Sequence, residues 1–285
     1  MGYLEFISRA EEKYVKNLEE FFVRIWKDTY LPSHDLDHHR RVWRFAKELL
    51  LALNEGENSD LPSSPEKILI ACYLHDTGLS IDLSASHGKK SREICVKFLA
   101  DNNLAEKKFK DVLDAIEFHD MKEQDFPLSP VDIIRIVSTA DDLDAFGYIG
   151  IYRYFEIYLL RGIPRSELGP RIRENAATRF RNFLNAFGSC RKLVARHSIR
   201  FRILDDFFRD YGTIIPDTGE ETTTTGRNYQ PLFSLFEKMI INKAALCDIE
   251  SFRADYDEDP LTAWYLTGME SELRNYLSPA ILSSI

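Results

Sequence analysis

Residues 68–76 read ILIACYLHD, a run of seven mostly apolar side chains that ends in the pair His75-Asp76. The run predicts a buried helix. A charged aspartate directly after such a helix is costly to bury unless another group compensates it. Since imidazole and carboxylate groups are both common metal ligands, the pair predicts one half of a metal site.

The other half must come from elsewhere in a chain that has seven histidines. Ligand-type residues lie at predicted helix ends or on inward helix faces at six positions: His38, His75, Asp76, His87, His119 and Asp141. Taken singly, each could be a surface residue at a helix start, a histidine that favours a helix dipole or a capping carboxylate. Together, in a helical chain, they predict a metal site built in a bundle core.

His38 lies near the start of a predicted helix. His34 and Arg41 are four and three residues away from it, so they could share its face. His39 is rotated from His38 by about 100° around the helix axis. We therefore expect His39 to point away from the ligands.

Composition bounds the class of protein. A chain of 285 residues can bury a full core without disulfides. It carries 46 acidic against 37 basic residues, which argues against a nucleic-acid binder. No apolar leader and no stretch of membrane-spanning length is visible. We expect a cytoplasmic protein with no membrane or nucleic-acid partner.

Helical periodicity dominates the sequence and predicts an all-α fold. The predicted helices cover residues 3–30, 37–53, 66–76, 88–101, 106–119, 131–160, 171–211, 232–245 and 260–276, with breaks at Pro164 and Gly169-Pro170. We expect a helical core over 1–212, an exposed loop over 213–231 that is rich in Gly, Pro and Thr, and a C-terminal helical extension over 232–285 packed on the core.

The pattern His38…His75-Asp76…Asp141 resembles the H…HD…D signature of the HD-domain superfamily of metal-dependent phosphohydrolases. Four segments carry the resemblance. Residues 38–42 (HHRRV), 71–78 (ACYLHDTG) and 140–145 (ADDLDA) are similar to the family's HxxRV, AxxxHDIG and ADxLDA. Residues 146–153 (FGYIGIYR) are similar to the LGAIGIAR of bacterial HD nucleotide pyrophosphohydrolases. The resemblance covers residues 20–212 and implies an HD-domain helical bundle.

The resemblance implies that His38, His75, Asp76 and Asp141 hold the first metal ion. It places His87 and His119 where some relatives hold a second metal and others line the phosphate site. We expect one ion per chain, with these two histidines at the mouth of the pocket. The paired histidine of the HD-GYP phosphodiesterases is missing, as is the HDxxED motif of the guanosine tetraphosphate hydrolases.

A divalent ion on such ligands can polarise a phosphoryl oxygen and activate water. Two imidazoles and two carboxylates suit Mn²⁺, Fe²⁺, Co²⁺ or Zn²⁺, with Mg²⁺ and Ni²⁺ as further candidates. Asp144 is expected to orient a ligand from behind. The residues predicted to contact the substrate or its phosphate are Arg41, His34, Lys89, Lys90 and Arg92.

The sequence thus predicts a metal-dependent hydrolase of a phosphoester or phosphoanhydride bond in a nucleotide or another small phosphate compound. Two alternatives stay open: a di-iron oxygenase of the HD fold, which would use His87 and His119 for the second iron, and a non-catalytic sensor that binds a nucleotide. The complete set of ligands argues against the sensor. A homodimer is a candidate assembly.

Overall fold

The computed structural model describes residues 2–54, 64–84, 86–121, 132–212, 228–256 and 258–277. Their regular structure is helical throughout, which confirms the all-α prediction. The helices are α1 (Tyr3–Trp26), α2 (Leu36–Asn54), α3 (Pro65–Leu74), α4 (His87–Asp101), α5 (Lys110–Phe118), α6 (Ile133–Asp144), α7 (Gly147–Leu160), α8 (Arg165–Phe187), α9 (Arg191–Gly212), α10 (Gln230–Asn242) and α11 (Pro260–Leu277). Short 3-10 helices lie at Pro32–His34, Thr77–Ser80, Glu106–Lys108 and Leu246–Asp255.

The chain divides into two compact units. The first contains Met1–Tyr30, His34–Asp144 and Arg179–Ala195, and the second contains Leu31–Ser33, Ala145–Thr178 and Arg196–Ile285. The predicted core over 1–212 and the extension over 232–285 stay predictions. Residues 213–227 of the predicted loop lie outside the described residues. In the part of the chain that is described, no helix combines the length and the apolar character needed to cross a membrane.

Helix α3 lies at the centre of the first unit. It packs against α1, α2, α5 and α6. Because neighbours surround it, its residues Ile68 to Leu74 have at most 2% of their surface exposed. The predicted buried helix is confirmed, and its C-terminus carries His75 and Asp76 into the interior.

The second unit is built around α7, which packs against α10 and α11. Aromatic side chains fill its core. Phe155 of α7 stacks on Phe233 of α10 with 4.6 Å between ring centroids, and Phe236 makes edge contacts with Tyr152 and Tyr265.

The single helix predicted over 131–160 is wrong, because the chain breaks between α6 and α7. Gly147 has a φ of +74°, a left-handed conformation that favours glycine. The carboxylate of Glu272 lies where a Cβ on Gly147 would be, and it accepts a hydrogen bond from the Ile149 N–H at 3.0 Å. Arg200 donates to the Phe146 carbonyl oxygen at 2.8 Å. Gly147, which the prediction from helical periodicity did not take into account, thus separates α6 from α7.

The helix predicted over 171–211 is also two helices, α8 and α9, separated at residues 188–190. The predicted break at Gly169-Pro170 is wrong, since Pro170 lies inside α8. A Cβ on Gly169 would lie 2.9 Å from the Phe208 carbonyl oxygen, so the glycine allows close approach of the α9 backbone. Packing between these helices therefore outweighs the local signal for a turn.

A comparison of Gly147 with Gly162 tests the contact with Glu272, because both glycines have φ near +70° but only Gly147 faces another side chain. We expect Gly162→Ala to cost roughly 1–2 kcal/mol from the backbone conformation alone. Gly147→Ala should cost about 3 kcal/mol or more, since overpacking against Glu272 adds to the strain. Urea unfolding of both variants measures the difference. Equal losses would contradict the proposed contact with Glu272.

Candidate metal centre

The structure brings all six predicted ligand residues together in the first unit. They lie at or beside helix ends: His38 in the first turn of α2, His75 and Asp76 directly after α3, His87 at the start of α4, His119 directly after α5 and Asp141 in the last turn of α6. All six are buried. Five helices therefore supply one interior cluster, from segments up to about a hundred residues apart in sequence.

Four of these residues form the first cluster, in which each offers one ligand atom within 4.8 Å of the others: His38, His75, Asp76 and Asp141. His38 Nε2 lies 3.3 Å from His75 Nε2 and 3.5 Å from Asp76 Oδ2. Asp141 Oδ1 lies 3.8 Å from His38 Nε2 and 3.9 Å from His75 Nε2. Two imidazole nitrogens and two carboxylate oxygens thus converge on one point, which is the donor set of a transition-metal site.

A second cluster uses the other oxygen of the same aspartate. Asp76 Oδ1 lies 3.1 Å from His87 Nε2 and 3.0 Å from His119 Nε2. The two histidine nitrogens are 3.4 Å apart. Asp76 therefore faces one pair of imidazoles with each of its oxygens, which is the arrangement of a carboxylate that bridges two metal ions.

Hydrogen bonds fix the ring orientation of the four histidines. The Nδ1 atoms of His75, His87 and His119 lie 2.8–2.9 Å from the carbonyl oxygens of residues 72, 84 and 116, each three positions earlier in the chain. A carbonyl oxygen only accepts, so each Nδ1 carries the proton and each Nε2 offers its lone pair to the cluster. The accepting carbonyl groups of residues 72 and 116 lie at the C-termini of α3 and α5, where backbone carbonyl groups have no N–H partner within the helix.

His38 is held by a side chain instead. Its Nδ1 lies 2.8 Å from Asp144 Oδ2, and Arg41 donates to both oxygens of Asp144, from Nε at 2.8 Å and from Nη2 at 3.1 Å. Arg41 and Asp144 are completely buried. Asp144 thus lies behind the ligand residue His38, and Arg41 compensates its charge.

The clustered carboxylates attract positive charge strongly. Burial alone would lower the pKa of His75, but Asp76 and Asp141 outweigh burial and raise the pKa to about 10. Burial would likewise raise the pKa of Asp76, but the histidines around it hold that pKa well below its usual range. A divalent ion on neutral imidazoles would supply this positive charge in place of protons. The donor types, their convergence and their charge balance therefore all fit a bound metal.

His39 was expected to point away from the ligands, but it is buried beside two of them. Its Nδ1 lies 3.1 Å from the Cys72 carbonyl oxygen, and its ring packs on Phe22 with centroids 4.7 Å apart. It is close enough to His38 and His75 to form a third histidine cluster with them. That cluster lacks a carboxylate, and burial holds the pKa of His39 well below its usual value, so a structural role fits best.

The residues predicted to bind phosphate are placed differently. His34 lies at the first cluster, with Nε2 3.8 Å from Asp76 Oδ2. Arg41 is fully buried and held by Asp144, and its predicted contact with phosphate stays a prediction.

Two of the basic residues that follow His87 pair with acidic residues. Lys90 pairs with Glu93 at 3.0 Å, and Arg92 pairs with two acidic residues of α5 at 2.8 and 3.0 Å. Lys89 is exposed. Their predicted contact with phosphate stays a prediction, and no ion pair in the described part of the chain links them to the clusters.

Sequence reasoning missed Arg179 of α8. Its Nη1 donates to Asp141 Oδ2 at 3.1 Å and to Asp142 Oδ1 at 2.6 Å, and its Nη2 reaches Asp120 Oδ1 at 3.5 Å. Nothing in the local sequence distinguishes this arginine from others on the same helix. The run Asp141-Asp142 was a weak signal that a cation lies nearby.

The adjacent residues His38 and His39 provide a test of the ligand assignment. We expect His38→Ala to lose metal from the first cluster. His39→Ala should keep it and should lower the stability by about 2 kcal/mol or more, since it removes a buried ring. Mass spectrometric metal analysis of purified protein, with urea unfolding alongside, separates these effects. Loss of metal in His39→Ala but not in His38→Ala would reverse the assignment.

Comparisons with known proteins bear on this site. Residues 35–146 match the model of the HD domain, a segment that contains all six ligand residues. A solved structure of a protein from Lactobacillus plantarum matches with 20% identity and a TM-score of 0.45, over 70% of this chain and 94% of that one. No curated protein matches. HD domains are in general divalent-metal-dependent phosphohydrolases. Residues 35–146 of this chain are thus similar to the HD domain, and the similarity is shown for that segment of the chain.

Proposed function

We propose that this protein is a phosphohydrolase that uses two divalent metal ions to cleave a phosphoester or phosphoanhydride bond in a nucleotide or another small phosphate compound. The observation that carries the proposal is the position of Asp76. Its two oxygens face two separate sets of imidazole nitrogens at 3.0–3.5 Å. This geometry favours two ions over the single ion expected from the sequence.

The ligands divide between the two ions. His38, His75, Asp76 and Asp141 would hold the first, and Asp76 with His87 and His119 would hold the second. Bound divalent ions would polarise a phosphoryl oxygen and lower the pKa of a water molecule, so that water can attack phosphorus and displace the leaving group. The high share of imidazole favours Mn²⁺, Fe²⁺, Co²⁺ or Zn²⁺ over Mg²⁺.

The chain itself supplies a rigid and protected frame for this chemistry. The Nδ1 hydrogen bonds keep each Nε2 aimed inward, so little rearrangement is needed when a metal binds. Burial of the ligands excludes bulk water and strengthens electrostatic interactions with a phosphate. His34 is 7% exposed and lies beside Asp76, which suits a contact with the substrate.

The identity of the substrate is a finer proposal. The segment after Asp141 resembles that of nucleotide pyrophosphohydrolases, and this resemblance supports a nucleotide. The acidic balance of the whole chain, 46 acidic against 37 basic residues, supports a small substrate over a nucleic acid, because long polyanions need a broad basic surface.

The first test is a panel of nucleoside mono-, di- and triphosphates and simple phosphate esters, assayed with Mn²⁺, Co²⁺, Zn²⁺ and Mg²⁺ for release of phosphate or pyrophosphate. We expect metal-dependent release from at least one compound, abolished by chelation. His75→Ala should reduce the rate by about a thousandfold or more, because it removes a ligand of the first ion. Asp111→Asn is the matched control, since Asp111 pairs with Lys67 on α3 at 2.8 Å, outside both clusters.

The same preparation separates the oxygenase alternative. An oxygenase would copurify with two irons, show an optical band and consume oxygen without releasing phosphate. That outcome, together with no release from any compound in the panel, would contradict the proposal.

A further inference from the structure

We propose that Arg179 binds the phosphoryl group of the substrate, an inference that rests on the proposed phosphohydrolase function. The structure places its guanidinium group against Asp141, Asp142 and Asp120 in the first unit. Arg179 was not among the residues that the sequence predicts to bind phosphate.

Its position relates it to both clusters. Asp141 presents Oδ1 to His38 and His75 of the first cluster and Oδ2 to Arg179, at 3.1 Å. Asp120, which Arg179 reaches with its other terminal nitrogen, directly follows His119 of the second cluster. The Asp141 carboxylate thus links the guanidinium group to the ligand atoms of the first cluster. Asp120, the residue after His119, links it to the second cluster.

Arg179 is more exposed to solvent than the ligands that it adjoins. The side chains of His38, His75, Asp76 and Asp141 are 0–5% exposed, whereas that of Arg179 is 14% exposed. Asp120 beside it reaches 33%. An anion that approaches the buried ligands from this side therefore meets the guanidinium group before it meets the ligand carboxylates.

Arg41, which contacts Asp144 on the same helix as Asp141 and Asp142, is less suited to this role. Arg41 is completely buried and donates from two nitrogens to Asp144. Arg92 donates to two acidic residues of α5, at 2.8 and 3.0 Å. Of Arg41 and Arg179, Arg179 is the one whose side chain has access to solvent.

The chemistry of the guanidinium group fits the proposal. Its planar array of donors matches two oxygens of a phosphate, and such charge-assisted pairs are stronger than neutral hydrogen bonds. In the structure its donors are engaged by carboxylates. When metal ions compensate the charge of Asp141, its attraction for Arg179 falls, so a phosphate oxygen can compete for the same donors. The weakest of the present contacts, at 3.5 Å to Asp120, is on the exposed side.

Binding of inorganic phosphate to the Mn²⁺-loaded protein, measured by calorimetry, tests this without requiring turnover. We expect Arg179→Ala to weaken phosphate binding about ten- to a hundredfold, as loss of a charge-assisted pair predicts. Arg179→Lys, which keeps the charge but not the planar fork, should weaken it about tenfold. Arg173→Ala is the matched control, because Arg173 also lies on α8 and donates to a carboxylate, that of Asp205, outside both clusters, and it should bind phosphate as the wild type does.

Two further measurements distinguish contact with phosphate from a purely structural role. Metal content should be unchanged in Arg179→Lys, since the ligand Asp141 keeps a cation beside it. Free guanidinium ion at millimolar concentration should restore part of the phosphate affinity of Arg179→Ala. Unchanged phosphate affinity in both Arg179 variants would overturn the proposal, as would loss of metal that accounts for the whole effect.

The outcome can be separated from that of the proposed function. If the wild type binds phosphate through Arg179 but cleaves no compound of the panel, the proposed function fails and the assignment of Arg179 stands. If the wild type with Mn²⁺ does not bind phosphate at all, the assignment of Arg179 fails.

Discussion

The centre of this protein depends on one buried carboxylate. Asp76 is 3% exposed and lies between two pairs of histidines, with one oxygen toward each pair. An isolated carboxylate at this depth would be strongly unfavourable, so the surrounding residues must provide positive charge. The pKa of His75 at about 10 shows how strongly the carboxylates retain a proton on that ring. Metal ions meet the same demand, and the imidazole nitrogens are already aimed at the positions where the ions would bind.

The ends of the helices hold the ligand side chains in this arrangement. Three histidines donate to carbonyl oxygens three residues earlier, and His38 is fixed by Asp144 and Arg41. Helix ends suit such ligands, because their unpaired carbonyl groups can hold a ring in one tautomer while the packed helix bodies hold the backbone in place. Removing Arg41 would leave Asp144 as an uncompensated buried charge behind a ligand, so the support of the site and the stability of the fold are linked.

Much of this could be read from the sequence, for identifiable reasons. The apolar run before His75-Asp76 marks a helix buried on every side, and ligand-type residues at helix ends are conspicuous when there are only seven histidines. The break at Gly147 was missed, because periodicity continues through it and the reason for the glycine is Glu272, far along the chain. Arg41 was predicted to contact phosphate because of its spacing from His38, but spacing does not reveal that its Nε and Nη2 donate to the buried Asp144. Arg179 could not be found from local sequence, since its partners are about forty to sixty residues away.

Metal stoichiometry tests the role of Asp76 most directly. Protein saturated with Mn²⁺ and freed of excess metal should contain two ions per chain in the wild type. His119→Ala should retain one, because the first cluster does not use His119, and Asp76→Ala should retain neither firmly, because it removes the shared ligand. A single ion in the wild type, retained in His119→Ala, would contradict the account of Asp76 as a bridge between two metal ions.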